Sequence, residues 1–77
     1  MIKGLVLVKL QPGREQGAVR GIKEIGGVKQ VEAVFGRWDL VLTVSAKDVS
    51  TLTSTVVKKI RAVPGIFTTE TLITTTL

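Results

Sequence analysis

The chain has no cysteine, no histidine and no tyrosine. The first absence excludes disulfides, and without histidine the usual soft-metal sites have no ligands. No histidine can serve as a general base and no cysteine as a nucleophile. The many Ser and Thr hydroxyls therefore lack a positioned activating group. The seven lysines are scattered in settings that predict a solvent-facing role, and only six carboxylates are present, widely dispersed. A phosphate-binding loop is also missing. Gly26-Gly27 closes an amphipathic stretch instead of opening one, which is the wrong polarity for an anion site. These absences predict a protein that is not an enzyme and holds no metal and no cofactor. No apolar run approaches the roughly 20 residues of a membrane span. Met1-Ile2-Lys3 leads straight into a strand pattern without a signal peptide, so a soluble cytoplasmic protein with no membrane partner is expected.

Seventy-seven residues permit one domain with a thin core. A chain of this size buries only about 60% of its unfolded surface and tends to need an external support. Disulfides and metals being excluded, association with other copies remains, and a hydrophobic content of 44% is generous enough to supply it. Lys and Arg outnumber Asp and Glu by 11 to 6, a formal charge of +5. That excess could attract nucleic acid, but the cations are spread along the whole chain, as on a solvated outer face.

What is present is a repeat. Leu5-Val6-Leu7-Val8 is answered by Leu40-Val41-Leu42-Thr43, and the segment from Ile22 to Val28 by that from Ile60 to Ile66. Each half reads as a strand, an amphipathic stretch closed by glycine, and a second strand. Residues 2–10 are apolar on both faces at their centre, and residues 40–44 repeat the pattern. A strand covered on one side only should alternate cleanly. One face must therefore meet helices and the other a second subunit.

Gln11-Pro12-Gly13 is a turn, and a helix is expected over about 14–25, with Ala18, Ile22 and Ile25 on one stripe, Gly21 allowing close approach to the sheet and Gly26-Gly27 as a glycine C-cap. A second strand covers about 28–35, with Val31, Ala33 and Phe35 on one face, and a third about 38–45. Asp48 is the expected N-cap of a second helix whose stripe is Val49, Leu52, Val56, Ile60 and Val63, stopped by Pro64-Gly65. The last strand is expected over about 66–75 in the β-branched, threonine-rich end. The order β-α-β-β-α-β predicts an α+β, ferredoxin-like fold: a four-stranded antiparallel sheet with two helices on one face, the other face being used in dimerisation.

Other occupants of this topology fail on composition. An acylphosphatase would need an Arg and an Asn together, and the chain has no Asn. An RNA-recognition domain stacks bases on aromatics at the centre of its sheet, whereas Phe35, Trp38 and Phe67 lie elsewhere. A heavy-metal-binding domain of this fold needs paired cysteines.

One segment, Val34-Phe35-Gly36-Arg37-Trp38-Asp39-Leu40, has no counterpart in the repeat. Gly36 can take a positive φ, and outward-pointing amides beside it could receive a carboxylate. Two readings stand side by side. Either Asp39 satisfies backbone donors at the turn while Trp38 packs a subunit contact, or both belong to a ligand site.

The run Phe35-Gly36-Arg37-Trp38-Asp39-Leu40-Val41-Leu42 resembles the G-x-(aromatic)-D-hydrophobic signature of the effector-binding domain of the Lrp/AsnC regulator family. Val63-Pro64-Gly65-Ile66 and the strand after it resemble that domain's L-P-G-V ending. The resemblance covers essentially the whole chain. It implies dimers packed sheet to sheet, assembly of dimers into rings such as octamers, and a free amino acid bound between dimers. It also implies a site made by Phe35, Gly36, Arg37, Trp38 and Asp39, with Thr68, Thr69 and Thr71 as the facing wall. Members usually carry an N-terminal helix-turn-helix, whereas this chain begins at the first strand. Residues 1–77 are therefore expected to be a single ligand-binding and oligomerisation domain, stand-alone or a fragment, without direct DNA binding. Three functions follow in order: an amino-acid sensor, an interaction module that joins full-length family regulators without a ligand, and a nucleic-acid binder driven by charge.

Overall fold

The computed structural model describes residues 1–74. Its elements are β1 (Ile2–Leu10), α1 (Glu15–Lys23), β2 (Val28–Ala33), β3 (Leu40–Ala46), α2 (Val49–Thr55) running into a wider π-helical turn (Val56–Ile60), and β4 (Ile66–Ile73). All strand pairs are antiparallel, in the order β2-β3-β1-β4. This is the ferredoxin-like arrangement. The expected strand at Thr75, and the threonine-rich end beyond it, lie outside the described residues.

The two strongest strand copies are the two central strands, and they pair with each other: Leu5 faces Thr43, Val6 faces Leu42, Leu7 faces Val41 and Val8 faces Leu40. Their double-sided apolar pattern follows from that position. On the helix side, Val6, Val8 and Leu10 of β1 and Leu40, Leu42 and Val44 of β3 are buried under Ala18, Ile22, Leu52, Val56 and Ile60. On the open side, Leu5, Leu7 and Val41 are half-buried and Leu72 of β4 is exposed. Among the described residues, no other element covers that face.

The repeat extends into the turns. Gly27 and Gly65 both take φ 99°. Ile25 N–H donates to the Ile22 carbonyl and Val63 N–H to that of Ile60, each at 3.1 Å. The Gly27 carbonyl accepts from Ser45 N–H at 2.9 Å, and the Gly65 carbonyl from Gln11 N–H at 2.8 Å. Each turn is thereby tied to the end of a central strand.

Three local expectations are corrected. The first helix ends at Lys23, with Glu24 still right-handed and Gly27 supplying the reversal. Gly21 does not approach the sheet: a Cβ there would lie 3.0 Å from Val63 Cγ1, so its smallness lets α1 approach the end of the second helix. The second helix is not uniformly α. Its buried residues Leu52, Val56 and Ile60 are four apart, and each such step overshoots an α-turn by about 40°. A wider turn, closed by Arg61 N–H donating to the Val56 carbonyl at 2.9 Å, offsets that drift and keeps Ile60 on the core. Asp48 caps the helix as expected, its Oδ1 accepting from Thr51 N–H at 2.7 Å.

Candidate functional site

The segment between β2 and β3 lies at the end of the sheet where β1 finishes and β4 begins. β2 ends at Ala33, and Val34 N–H, donating to the Asp39 carbonyl (3.0 Å), makes the last cross-strand bond and closes the loop. Phe35 therefore leaves the sheet and is fully exposed. Gly36 takes φ 129°, and nothing lies within 4 Å of where its Cβ would be. The demand for glycine there is conformational rather than steric. Arg37 is exposed, while Trp38 and Asp39 are half-buried.

Asp39 has structural work. Its N–H donates to the Val8 carbonyl at 2.9 Å, and its Oδ2 accepts from Leu10 N–H at 2.8 Å. The carboxylate thus continues the β1–β3 ladder where β3 has no further residue to offer. An unpaired N–H at that position would carry a desolvation cost.

The three threonines of β4 do not share one wall within a protomer. Thr68 pairs with Lys9 on the open face, whereas Thr69 pairs with Val8 and Thr71 with Val6, both on the helix side. Thr68 is exposed, and Thr69 and Thr71 are half-buried. Because β1 runs between β3 and β4, Asp39 and Thr68 flank it from opposite sides near Lys9.

Around Asp39 the structure gathers residues that the sequence pattern does not single out as ligand groups. Lys9, Leu10, Pro12, Glu15, Asp39 and Phe67 line a shallow cleft of about 330 Å³. Phe67 stands out because the β1–β4 register shifts between Lys9 and Leu10, leaving it without a partner and 70% exposed. Glu15 is held near the cleft by Gly13 N–H, which donates to its Oε2 at 3.2 Å. One ammonium, two carboxylates and an aromatic wall can match a small zwitterion with an apolar side chain better than a polyanion. The Pro64-Gly65-Ile66 landmark before Phe67 is the available signal in the sequence, but only the strand register shows that Phe67 and Lys9 meet.

Among the described residues, no three acidic side chains come close enough to hold a metal ion, and no helix is long and apolar enough to cross a membrane.

The sequence matches the family model described as Lrp/AsnC ligand binding domain over residues 3–76. TTHA0845 from Thermus thermophilus is 35% identical, with a TM-score of 0.92, over 100% of this chain and 96% of that one. FFRP-DM1 is 27% identical, with a TM-score of 0.90, over 97% of this chain and 100% of that one. The Neisseria meningitidis transcriptional regulator NMB0573, solved as a complex with L-Met, shares the fold at 12% identity and a TM-score of 0.90. The alignment covers 97% of this chain and 50% of that regulator. Among proteins of curated function, none matches.

Proposed function

The chain belongs to the Lrp/AsnC ligand-binding domain family, and from that premise we propose that it is an oligomerising regulatory module that binds a free amino acid. The observation that carries the ligand reading is the cleft beside Asp39, where Lys9, Glu15 and Asp39 surround the apolar wall of Pro12 and Phe67. Lys9 would take the ligand carboxylate, with amides of Gly36–Trp38 as further donors, and Glu15 would take its ammonium. Charge-assisted hydrogen bonds of this kind contribute roughly 1.5–3 kcal/mol each. Asp39 holds the strand end and sets the loop's position.

Phe35, Gly36 and Arg37 project from the protomer, which suits a site completed by a neighbouring dimer, with Thr68, Thr69 or Thr71 of that neighbour as the other wall. The open face bearing Leu5, Leu7, Val41 and Leu72 suits the dimer contact itself. Ligand at a contact between dimers would shift the assembly by its differential affinity for the two states. The complex of NMB0573 with L-Met supports the ligand class.

Calorimetric titration with the twenty amino acids, together with thermal shift, tests this reading. Heat and a raised melting temperature with at least one are expected, and neither with any of them overturns the sensor. The second reading, an interaction module joining full-length regulators, is favoured by the same open face. Exchange into regulator assemblies without any amino-acid response would select it.

A further inference from the structure

The cations that look scattered along the sequence are sorted by the fold. Around the second helix stand Lys47, Lys58, Lys59 and Arg61, and along the first Arg14, Arg20 and Lys23, all of them exposed. The carboxylates of the same layer are Glu15, Glu24 and Asp48. Seven cations against three carboxylates give the helix layer +4 of the chain's formal +5. The strands and the 34–39 loop share four cations and three carboxylates, a net of +1.

We propose that this helix layer is a phosphate-binding surface that takes the backbone of duplex DNA without reading its sequence. From Val49 to Thr69 the chain has no carboxylate at all. Ser50, Thr51, Ser54, Thr55, Lys58 and Lys59 line a groove of about 350 Å³ along the outer side of the second helix. At steps of four they form two parallel rows, Ser50-Ser54-Lys58 and Thr51-Thr55-Lys59. Hydroxyls and ammonium groups are the side chains that contact phosphate oxygens on DNA. Thr55 spends its hydroxyl proton on the Thr51 carbonyl at 3.0 Å, so it contributes shape rather than a donor.

Two features favour DNA over a bilayer surface. The large apolar residues exposed on the second helix are only Val49 and Val57, whereas Phe35 and Phe67 belong to the 34–39 loop and to β4 and not to the helix surface. A helix that lies in a membrane interface presents Trp, Phe or Leu beside its cations. The surface is also on the opposite side of the sheet from the open apolar face, so association through that face leaves it uncovered. No recognition helix is needed, because phosphates and not base edges are contacted.

Fluorescence anisotropy with short labelled duplexes of two unrelated sequences tests this across ~50–200 mM salt. The expected result is equal affinity for both sequences, a Kd on the order of 10⁻⁴–10⁻⁶ M at physiological salt, and a linear fall of log K with log salt. Lys59→Gln should reduce the salt slope by about one and Lys58→Gln with Lys59→Gln by about two, whereas Lys29→Gln on the β2 edge should leave it unchanged. Equal weakening by Lys29→Gln and Lys59→Gln would show attraction by net charge alone and overturn the proposal. So would no binding at ~50 mM salt, or binding to phosphatidylserine vesicles with the same dependence on Lys58 and Lys59.

Discussion

Gly27 and Gly65 occupy the same place in the two half-repeats, with the same φ of 99° and a carbonyl bonded in the same way to the end of a central strand. Their surroundings differ. A Cβ on Gly27 would meet one atom, the Ser45 carbonyl oxygen, at 3.3 Å. On Gly65 it would meet Arg14 Cβ at 3.0 Å, the Arg14 carbonyl oxygen at 3.1 Å and Ala18 Cβ at 3.2 Å. The second turn, with Val63 set against Gly21, is thus wedged against the first helix, and the first turn lacks an equivalent crowd. Duplication explains the shape of each turn, and only the second serves as a joint between halves.

Substituting the two glycines separates these roles. Gly27→Ala meets chiefly the cost of a left-handed alanine, about 1–2 kcal/mol. Gly65→Ala adds overpacking against backbone and Cβ atoms, another 1–3 kcal/mol or so. Urea midpoints should therefore fall much further for Gly65→Ala; equal losses would show that the wedge carries no stability.

The halves also differ in how each holds the end of a central strand. Gln11, following β1, is held by the Gly65 turn and Leu10 by the Asp39 carboxylate, whereas Ser45 of β3 is held by the Gly27 turn. Asp39→Ala should cost about 1–3 kcal/mol by leaving Leu10 N–H unpaired, and Asp39→Asn, which keeps an acceptor, distinctly less. If Asp39→Asn retains stability but abolishes amino-acid binding in calorimetry, the carboxylate is a ligand group as well as a brace.

The smallest contrast is in capping. Asp48 caps the second helix, whereas Arg14 offers no side-chain cap to the first. The Thr51 backbone N–H, then its side chain, hold the Asp48 carboxyl below its ordinary 3.8. The folded value being depressed, this stabilisation is present above about 3.8 and is lost as pH falls through the folded value. Asp48→Asn should keep the cap and flatten that part of the melting profile in acid, and Asp48→Ala should lower Tm by several degrees at neutral pH. A steeper acid limb in Asp48→Asn would contradict the assignment.

How much of this the sequence shows depends on distance along the chain. β1 is legible from Ile2 to Leu10 because its apolar pattern lies within the strand itself, although its partners do not. The Asp48 cap and the Gly36 turn are legible for the same reason. The even spacing of Phe35 from Val31 and Ala33 puts it on a strand face, but a strand ends where its partner ends, and Asp39 takes the last bond. The cleft depends on the pairing of Lys9 with Thr68 and on the register shift that frees Phe67, neither of which has a local trace. Gly21 reads locally as a contact with the sheet, and its true neighbour, Val63, lies in the other half. The concentration of charge on the helix layer is invisible in a list of positions, because the fold and not the order of residues sorts it.

The pairing of β1 with β4 has a consequence for how the molecule is made. Gly4 to Leu10 find their partners in Ile66 to Ile73, so a central strand near the start of the chain waits on an edge strand near residue 73. During synthesis β1 and β3 can meet first, but one side of β1 stays bare until β4 has left the ribosome. Such non-local closure is slow compared with helix formation, and the waiting intermediate exposes an unpaired strand. The nascent chain is most vulnerable to wrong partners, a second nascent copy included, in the interval before its last strand arrives.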